Sequence, residues 1–201
     1  LGNQKVLIGI PTVEMARRAV FYDYYNMLAK PPNSIMTFAH GQSPAKNRNL
    51  IIEQALINNC SHVMFIDDDM AFDTDGLIRL LSHDKDMVTG FYVMRNHPHK
   101  PLIFDMREKD GSCRPYWPRD DEKGLIKVIN AGLGFCLIKT KVFLGMKKPW
   151  ITLGELTPDD WCDDIAFFNR AFDAGFELYC DLDISVGHMA KEIQEYLKTT
   201  N

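Results

Sequence analysis

The chain lacks any long hydrophobic run. Its most continuous apolar stretches, residues 6–10 (VLIGI) and 63–66 (VMFI), fall far short of the roughly 20 residues that a membrane-spanning helix needs. There is no CxxC pair. The five cysteines, Cys60, Cys113, Cys136, Cys162 and Cys180, are scattered and odd in number, which argues against a disulfide framework or a structural zinc site. They suit reduced thiols in an intracellular, cytoplasmic setting, the host cytoplasm if the chain is viral. Positive charge is not in excess: 23 Lys and Arg stand against 27 Asp and Glu, for a net charge of -4. Nothing therefore points to a nucleic-acid surface built from bulk charge, or to a membrane partner. Internal repeats, low-complexity tracts and a secretory leader pattern are also absent from the stretch beginning at Leu1. What remains is 46% hydrophobic and 25% charged over 201 residues, the mixture and length expected of one globular domain spanning 1–201.

Short apolar runs alternate with amphipathic stretches. Residues 5–10 read as a buried strand ended by Pro11-Thr12, with Thr12 as N-cap of a helix that Pro31-Pro32 must stop. Residues 34–39 form a second strand. Ser43-Pro44 then supplies an N-cap and a first-turn proline for a helix with Ala45, Arg48, Ile52 and Ala55 on one face. Arg48 thus belongs to an apolar stripe. Residues 62–66 are the next buried strand, followed by a helix over 74–82 and a strand over 87–93. This β-α-β-α-β-α-β order predicts an α/β protein with a mixed, mainly parallel central sheet flanked by helices.

From 95 to about 124 the pattern breaks. Residues 107–123 hold five basic and five acidic residues, and so long an irregular stretch in a compact domain reads as a functional loop or short hairpin. Strand character returns over 127–138 around Asn130-Ala131-Gly132-Leu133-Gly134, where two glycines admit close backbone approach. A helix over 163–174 ends at Gly175. Short strands over 176–180 and 184–186 precede an amphipathic helix from Ala190.

Four features carry chemistry. Asp67-Asp68-Asp69 directly follows a buried strand, where parallel sheets bind their ligands. Three adjacent acids repel one another, and an oxygen-seeking Mn2+ or Mg2+ gives them a reason to coexist; a solvated acidic turn is the plain alternative. Asp163-Asp164 opens a helix, either as simple N-terminal acids favoured by the macrodipole or as a general base at the sheet's mouth. His188 follows the last short strand as a structural histidine or a metal ligand. Pro11, Thr12 and Arg48 lie on the same expected rim, where Arg48 can hold a nucleobase or phosphate, or pair with a nearby aspartate.

Taken in this order, these elements resemble the nucleotide-sugar glycosyltransferases of the GT-A fold, in particular the family-2-like inverting enzymes. Asp67-Asp68-Asp69 resembles their DxD motif, Asp163-Asp164 their xED base motif, and His188 their C-terminal metal-binding histidine. Residues 6–12 and 45–49 resemble their nucleotide-binding strand and Arg-bearing helix start, and residues 130–135 the strand lining the donor and acceptor pockets. The resemblance covers roughly residues 5–190. It departs at Asp163, where Glu is usual, and Asp164 is the preferred base. It implies a metal-dependent hexosyltransferase, using Mn2+ or Mg2+ held by Asp69 and His188 with Asp67. Pro11, Thr12, Arg48, Asp67 and Asp68 would bind the donor nucleotide. That donor would be a nucleoside-diphosphate sugar, a UDP-sugar first, and the acceptor a hydroxyl of a glycan, glycoprotein or other molecule. Residues 95–124 would be the lid or acceptor loop, with Tyr116 and Trp117 as sugar-stacking platforms.

Other classes fit less well. A nucleotidyltransferase of related topology usually carries a Gly-rich basic loop after its first strand, and Pro11-Thr12-Val13-Glu14 is not one. A haloacid-dehalogenase-type phosphatase needs Thr or Val where Ala71 stands. A retaining GT-A enzyme differs only in the use made of Asp163-Asp164. A catalytically dead binding module would have no need of acids at every such position.

Overall fold

The computed structural model describes residues 4–12, 22, 24–108, 112–152 and 162–189. Its centre is a mixed sheet in the order β2-β1-β3-β10-β5-β11-β4, with β8 added on β11. These strands are β1 (Val6–Pro11), β2 (Ile35–Ala39), β3 (His62–Ile66), β4 (Met70–Phe72), β5 (Met87–Phe91), β8 (Leu125–Val128), β10 (Phe135–Lys139) and β11 (Leu178–His188). β1 is parallel to β2 and β3, and β11 is parallel to β5. β10 runs antiparallel between β3 and β5. The two strands it separates therefore point the same way, and the carboxyl ends of β1, β2, β3, β5 and β11 share one edge.

Period-two alternation divides the core. Leu7, Val63 and Phe65 face one cluster with Ile51, Ile52, Phe143, Phe167 and Phe168. Their strand neighbours Ile8, Met64 and Ile66 face another with Tyr25, Leu77, Leu80 and Phe135. Each such fully buried side chain contributes roughly 1.5–3 kcal/mol. The first layer is built on α1 (Pro44–Ile57), α3 (Thr140–Leu144) and α4 (Asp163–Asp173), and the second on α2 (Gly76–Ser82). α1 starts as its sequence dictates: Ser43 accepts the Lys46 N–H at 3.4 Å, with Pro44 in the first turn. Of the helix expected from Thr12 to residue 30, residues 22 and 24–26 are helical, while residues 27–30, just ahead of Pro31-Pro32, have already left the helix. The helix expected from Ala190 lies outside the described residues.

Several elements depart from expectation. The sheet's parallel run is interrupted by β10, which comes from the glycine-containing segment after the long loop. The strands expected over 176–180 and 184–186 are one strand, irregular between Asp181 and Ser185. There Asp181 accepts the Asp183 N–H at 2.9 Å, a local side-chain bond that competes with the ladder. Within 95–124 lies a hairpin, β6 (Ile103–Arg107) with β7 (Cys113–Pro115), and β6 also pairs with β9 (Asn130–Ala131). This small second sheet stands over the amino end of α4, near the edge described above. All five cysteines are free. Among the described residues no helix is long and apolar enough to cross a membrane.

Candidate active site

The shared carboxyl edge gathers the residues singled out by sequence. Pro11 and Thr12 leave β1, Asp67-Asp68-Asp69 leave β3, Arg95 follows β5, and His188 ends β11. From the α1 side Arg48 reaches in, and from the start of α4 come Asp163 and Asp164. Together Pro11, Thr12, Arg48, Asp67, Asp68, Asp69, Asp163 and Asp164 line a cleft of about 340 Å3.

Arg48 is the hub. It is 5% exposed, because its position on the apolar face of α1 carries it under the edge. Its Nη2 donates to Asp67 Oδ1 at 2.8 Å and its Nη1 to Asp163 Oδ2 at 2.6 Å, with Asp164 Oδ1 3.4 Å from Nη1. Burial opposes its charge, but Asp67, Asp164 and Asp163 outweigh burial and raise its pKa above the ordinary guanidinium value. Both terminal nitrogens thus hold carboxylates, joining the acids that follow β3 to those that open α4.

The two acids of α4 differ. Asp163 takes the short Arg48 bond. Asp164 accepts the Leu133 N–H at 3.1 Å, while its Oδ1 is buried without a hydrogen-bond partner among the described residues. Burial is the largest influence on Asp164 and pushes its pKa up to about 7; Arg48 opposes, Asp163 and Asp67 add to the rise, and the Leu133 N–H opposes. With 22% of its side chain still exposed, it can exchange a proton with something in the cleft. A carboxyl poised near neutrality is what general-base chemistry asks for.

The acid triplet is held from several sides. The Asp67 N–H donates to Gly134 O at 2.9 Å, and the Tyr25 hydroxyl donates to Asp67 O at 3.0 Å. Thr12 Oγ1 donates to Asp68 Oδ2 at 2.7 Å, and Asn47 Nδ2 reaches Thr12 O at 3.4 Å. Asp69, 7% exposed, is ion-paired with Arg95. His188 packs edge-on against Tyr92, ring centroids 5.7 Å apart. Burial and then Arg95 lower its pKa, against the pull of Asp67 and a bond to the Val93 backbone, which favours the neutral imidazole.

Asp67, Asp69 and His188, expected as metal ligands, share the edge but do not converge as a mutual group. Among the described residues, the ligand atoms that lie within 4.8 Å of one another belong to Cys162, Asp163 and Asp164. Tyr116 and Trp117, expected as stacking platforms, do not line the cleft. The Tyr116 hydroxyl donates to Glu122 at 2.7 Å, and Trp117 is 61% exposed.

Sequence reasoning missed Tyr92 and Arg95. The buried Tyr92 hydroxyl accepts the Gly134 N–H at 2.8 Å; burial, then Asp164 and Asp67, raise its pKa well above the usual value, so it stays protonated. A Cβ on Gly132 would come within 2.1 Å of that hydroxyl, and one on Gly134 within 3.1 Å of Asp67 Oδ2. The close approach foreseen for these glycines is to Tyr92 and Asp67. A signal for Arg95 was present: it is a cation just past the carboxyl end of a buried strand.

Two solved structures share this architecture. A197 from STIV superposes with a TM-score of 0.63 at 16% sequence identity, over 94% of this chain and 87% of that chain. GalNAc-T7, in a structure with UDP, GalNAc and Mn2+, superposes with a TM-score of 0.57 at 10% identity. The fold is GT-A-like. The alignment with GalNAc-T7 covers 93% of this chain but 44% of that chain, so this chain spans less than half of its length. No protein-family model and no curated protein matches the sequence.

Proposed function

We propose that the protein is a glycosyltransferase of the inverting, family-2-like GT-A type, moving a hexose from a nucleoside-diphosphate sugar, a UDP-sugar first, to an acceptor hydroxyl. The observation that carries this reading is the buried Arg48 tying Asp67 to Asp163, with the near-neutral Asp164 beside them at the sheet's carboxyl edge. GalNAc-T7, of similar fold, was solved with UDP, GalNAc and Mn2+, and this supports the choice of donor. In this reading Pro11, Thr12 and Asp68 border the nucleotide, Asp67 meets its ribose side, and Arg48 positions Asp67 and the α4 acids.

The donors at the edge suit a hard divalent cation, Mn2+ or Mg2+: carboxylate oxygens and a neutral imidazole. Asp69, His188 and Asp67 would hold it once drawn closer together than they stand here, with Arg95, 45% exposed on its side chain, released from Asp69. When bound, the ion would offset the charge of the diphosphate as it leaves.

Asp164 takes the proton of the acceptor hydroxyl as that oxygen bonds to the anomeric carbon. The bond from that carbon to the diphosphate oxygen breaks on the opposite face, its electron pair leaving with the nucleoside diphosphate. Inversion follows from the direct displacement. A base in this role is worth roughly 10²–10⁴-fold in rate. The test is Asp164→Asn, which should bind UDP with Mn2+ as the parent does and release sugar to acceptors at least 100-fold more slowly. Unimpaired transfer by that variant would remove Asp164 from the mechanism.

A further inference from the structure

Asp164 borders a second space. On the side of α4 facing the β6–β7 hairpin lies another cavity of about 340 Å3, at the lower end of the range for small-molecule sites. Among the described residues its wall is almost wholly apolar: Met94, Pro101, Leu102, Phe104, Cys113 and Ile165 contribute, while of these residues only Lys100, Ser112 and Asp164 bring side chains of polar type besides the cysteines. Among the described residues Asp164 is also the one that lines both this cavity and the acidic cleft. Asp67 and Asp163, which Arg48 also holds, line the acidic cleft but not this cavity.

The wall chemistry discriminates between acceptors. A sugar carries a hydroxyl on nearly every carbon, and each one buried without a partner weakens binding by roughly 5- to 150-fold. A wall this poor in donors and acceptors cannot satisfy several at once. An aryl or alkyl group needs no partner and gains from leaving water. Leu102 is fixed in place to provide such a surface, since its N–H donates to Tyr92 O and its carbonyl accepts the Gly132 N–H, both at 3.0 Å.

We infer that this cavity is the acceptor subsite, and that the acceptor is a hydroxyl on an apolar aryl or alkyl body, seated among Met94, Leu102, Phe104 and Cys113 with its oxygen at Asp164. The inference rests on the proposed transferase activity for the fate of that oxygen: its proton passes to Asp164, it bonds to the anomeric carbon, and the diphosphate departs with the bonding pair. The existence of the apolar subsite does not depend on that activity.

The experiment uses the whole chain with methyl-labelled methionine, titrated with 2-naphthol or with methyl β-glucoside and followed by NMR. The Met94 methyl should move saturably with 2-naphthol, while that of Met64, fully buried in the sheet core, stays still. Methyl β-glucoside should bind at least tenfold more weakly. Cys113→Phe, which fills the cavity, and Leu102→Glu, which charges it, should each weaken 2-naphthol at least tenfold while UDP binding is kept. Leu102→Met should restore it; should Leu102→Glu fail to fold, Cys113→Phe decides alone. Preference for the glucoside, no shift at Met94, or naphthol binding indifferent to both variants would each overturn the inference. If naphthol binds as described but no nucleotide binds with any cation, the subsite stands and the transferase reading falls. If nucleotide binds and naphthol does not, the reverse holds.

Discussion

Removing the Arg48 charge is the most informative perturbation of the site. In Arg48→Met a side chain of similar reach fills the buried space, but Asp67, Asp163 and Asp164 lose the cation they share. Breaking a buried pair by deleting one partner costs about 3–5 kcal/mol. Here the carboxylates keep 32%, 18% and 22% of their side-chain exposure, so water recovers part of that, and about 2–3 kcal/mol is expected. For a chain of 201 residues this lowers Tm by roughly 5–10 °C at pH 8. The loss depends on pH in a definite direction. The unpaired acids repel as long as all are ionised, and protons relieve them, so the deficit against the parent shrinks as pH falls from 8 toward 5. The assay is calorimetric melting of both proteins across that range. An Arg48→Met variant as stable as the parent at pH 8, or a deficit that grows on acidification, would refute the idea that Arg48 is what allows these acids to coexist.

Asp164 is raised toward 7 in the fold, above its unfolded value, so its ionisation draws on stability as pH rises from about 4 to 7 and the loss is complete above that. Asp164→Asn should therefore melt higher than the parent at pH 8, by on the order of 1–3 kcal/mol, and the advantage should shrink below pH 7 and vanish near pH 4. The same ionisation predicts that transfer by the parent climbs with pH up to about 7 and then levels, which a pH–rate profile reads directly. Gly132→Ala should destabilise by about 1–3 kcal/mol, because its Cβ would fall on the Tyr92 hydroxyl. Combining it with Tyr92→Phe should cost less than the sum of the two single changes, as a double-mutant cycle by urea melting will show. Asp69→Ala should fold, lose its ion pair with Arg95, and lose Mn2+-dependent UDP binding, so that a calorimetric titration with Mn2+ is as flat as the parent's with EDTA.

The sequence carried most of the scaffold because its strands are short, apolar and sharply bounded. The strand over 62–66 and the helix opened by Ser43-Pro44 are read directly from an unbroken buried run and a capping residue. What escaped was long-range pairing. Nothing local in Phe135–Lys139 says that it inserts antiparallel between β3 and β5, because a fully buried strand reads the same in either direction. Asp181 and Asp183 interrupt the apolar pattern of β11, so one irregular strand read as two. At the site, Asp67 to Asp69 and Asp163-Asp164 were legible from their places at a strand's end and a helix's start. Arg48 was legible as a buried cation, but which partner would take it depends on the α4 acids more than a hundred positions away. Tyr92 was hidden inside a strand-like run, where a tyrosine reads as core. Its role emerges only when Gly132 and Gly134 arrive against it.

The central claim is that the acidic cleft at the sheet's carboxyl edge binds a nucleoside diphosphate through a divalent cation. A thermal-shift panel tests it most directly: UDP, GDP, dTDP and CMP with their common sugars, each in Mn2+, Mg2+ or EDTA. A ligand at 100 times its Kd adds about 2.7 kcal/mol, or roughly 5–10 °C for a chain of this size. The account predicts such a shift for one nucleoside diphosphate, UDP first, abolished by EDTA and by Asp69→Ala. A shift that survives EDTA, or none with any nucleotide, would contradict it.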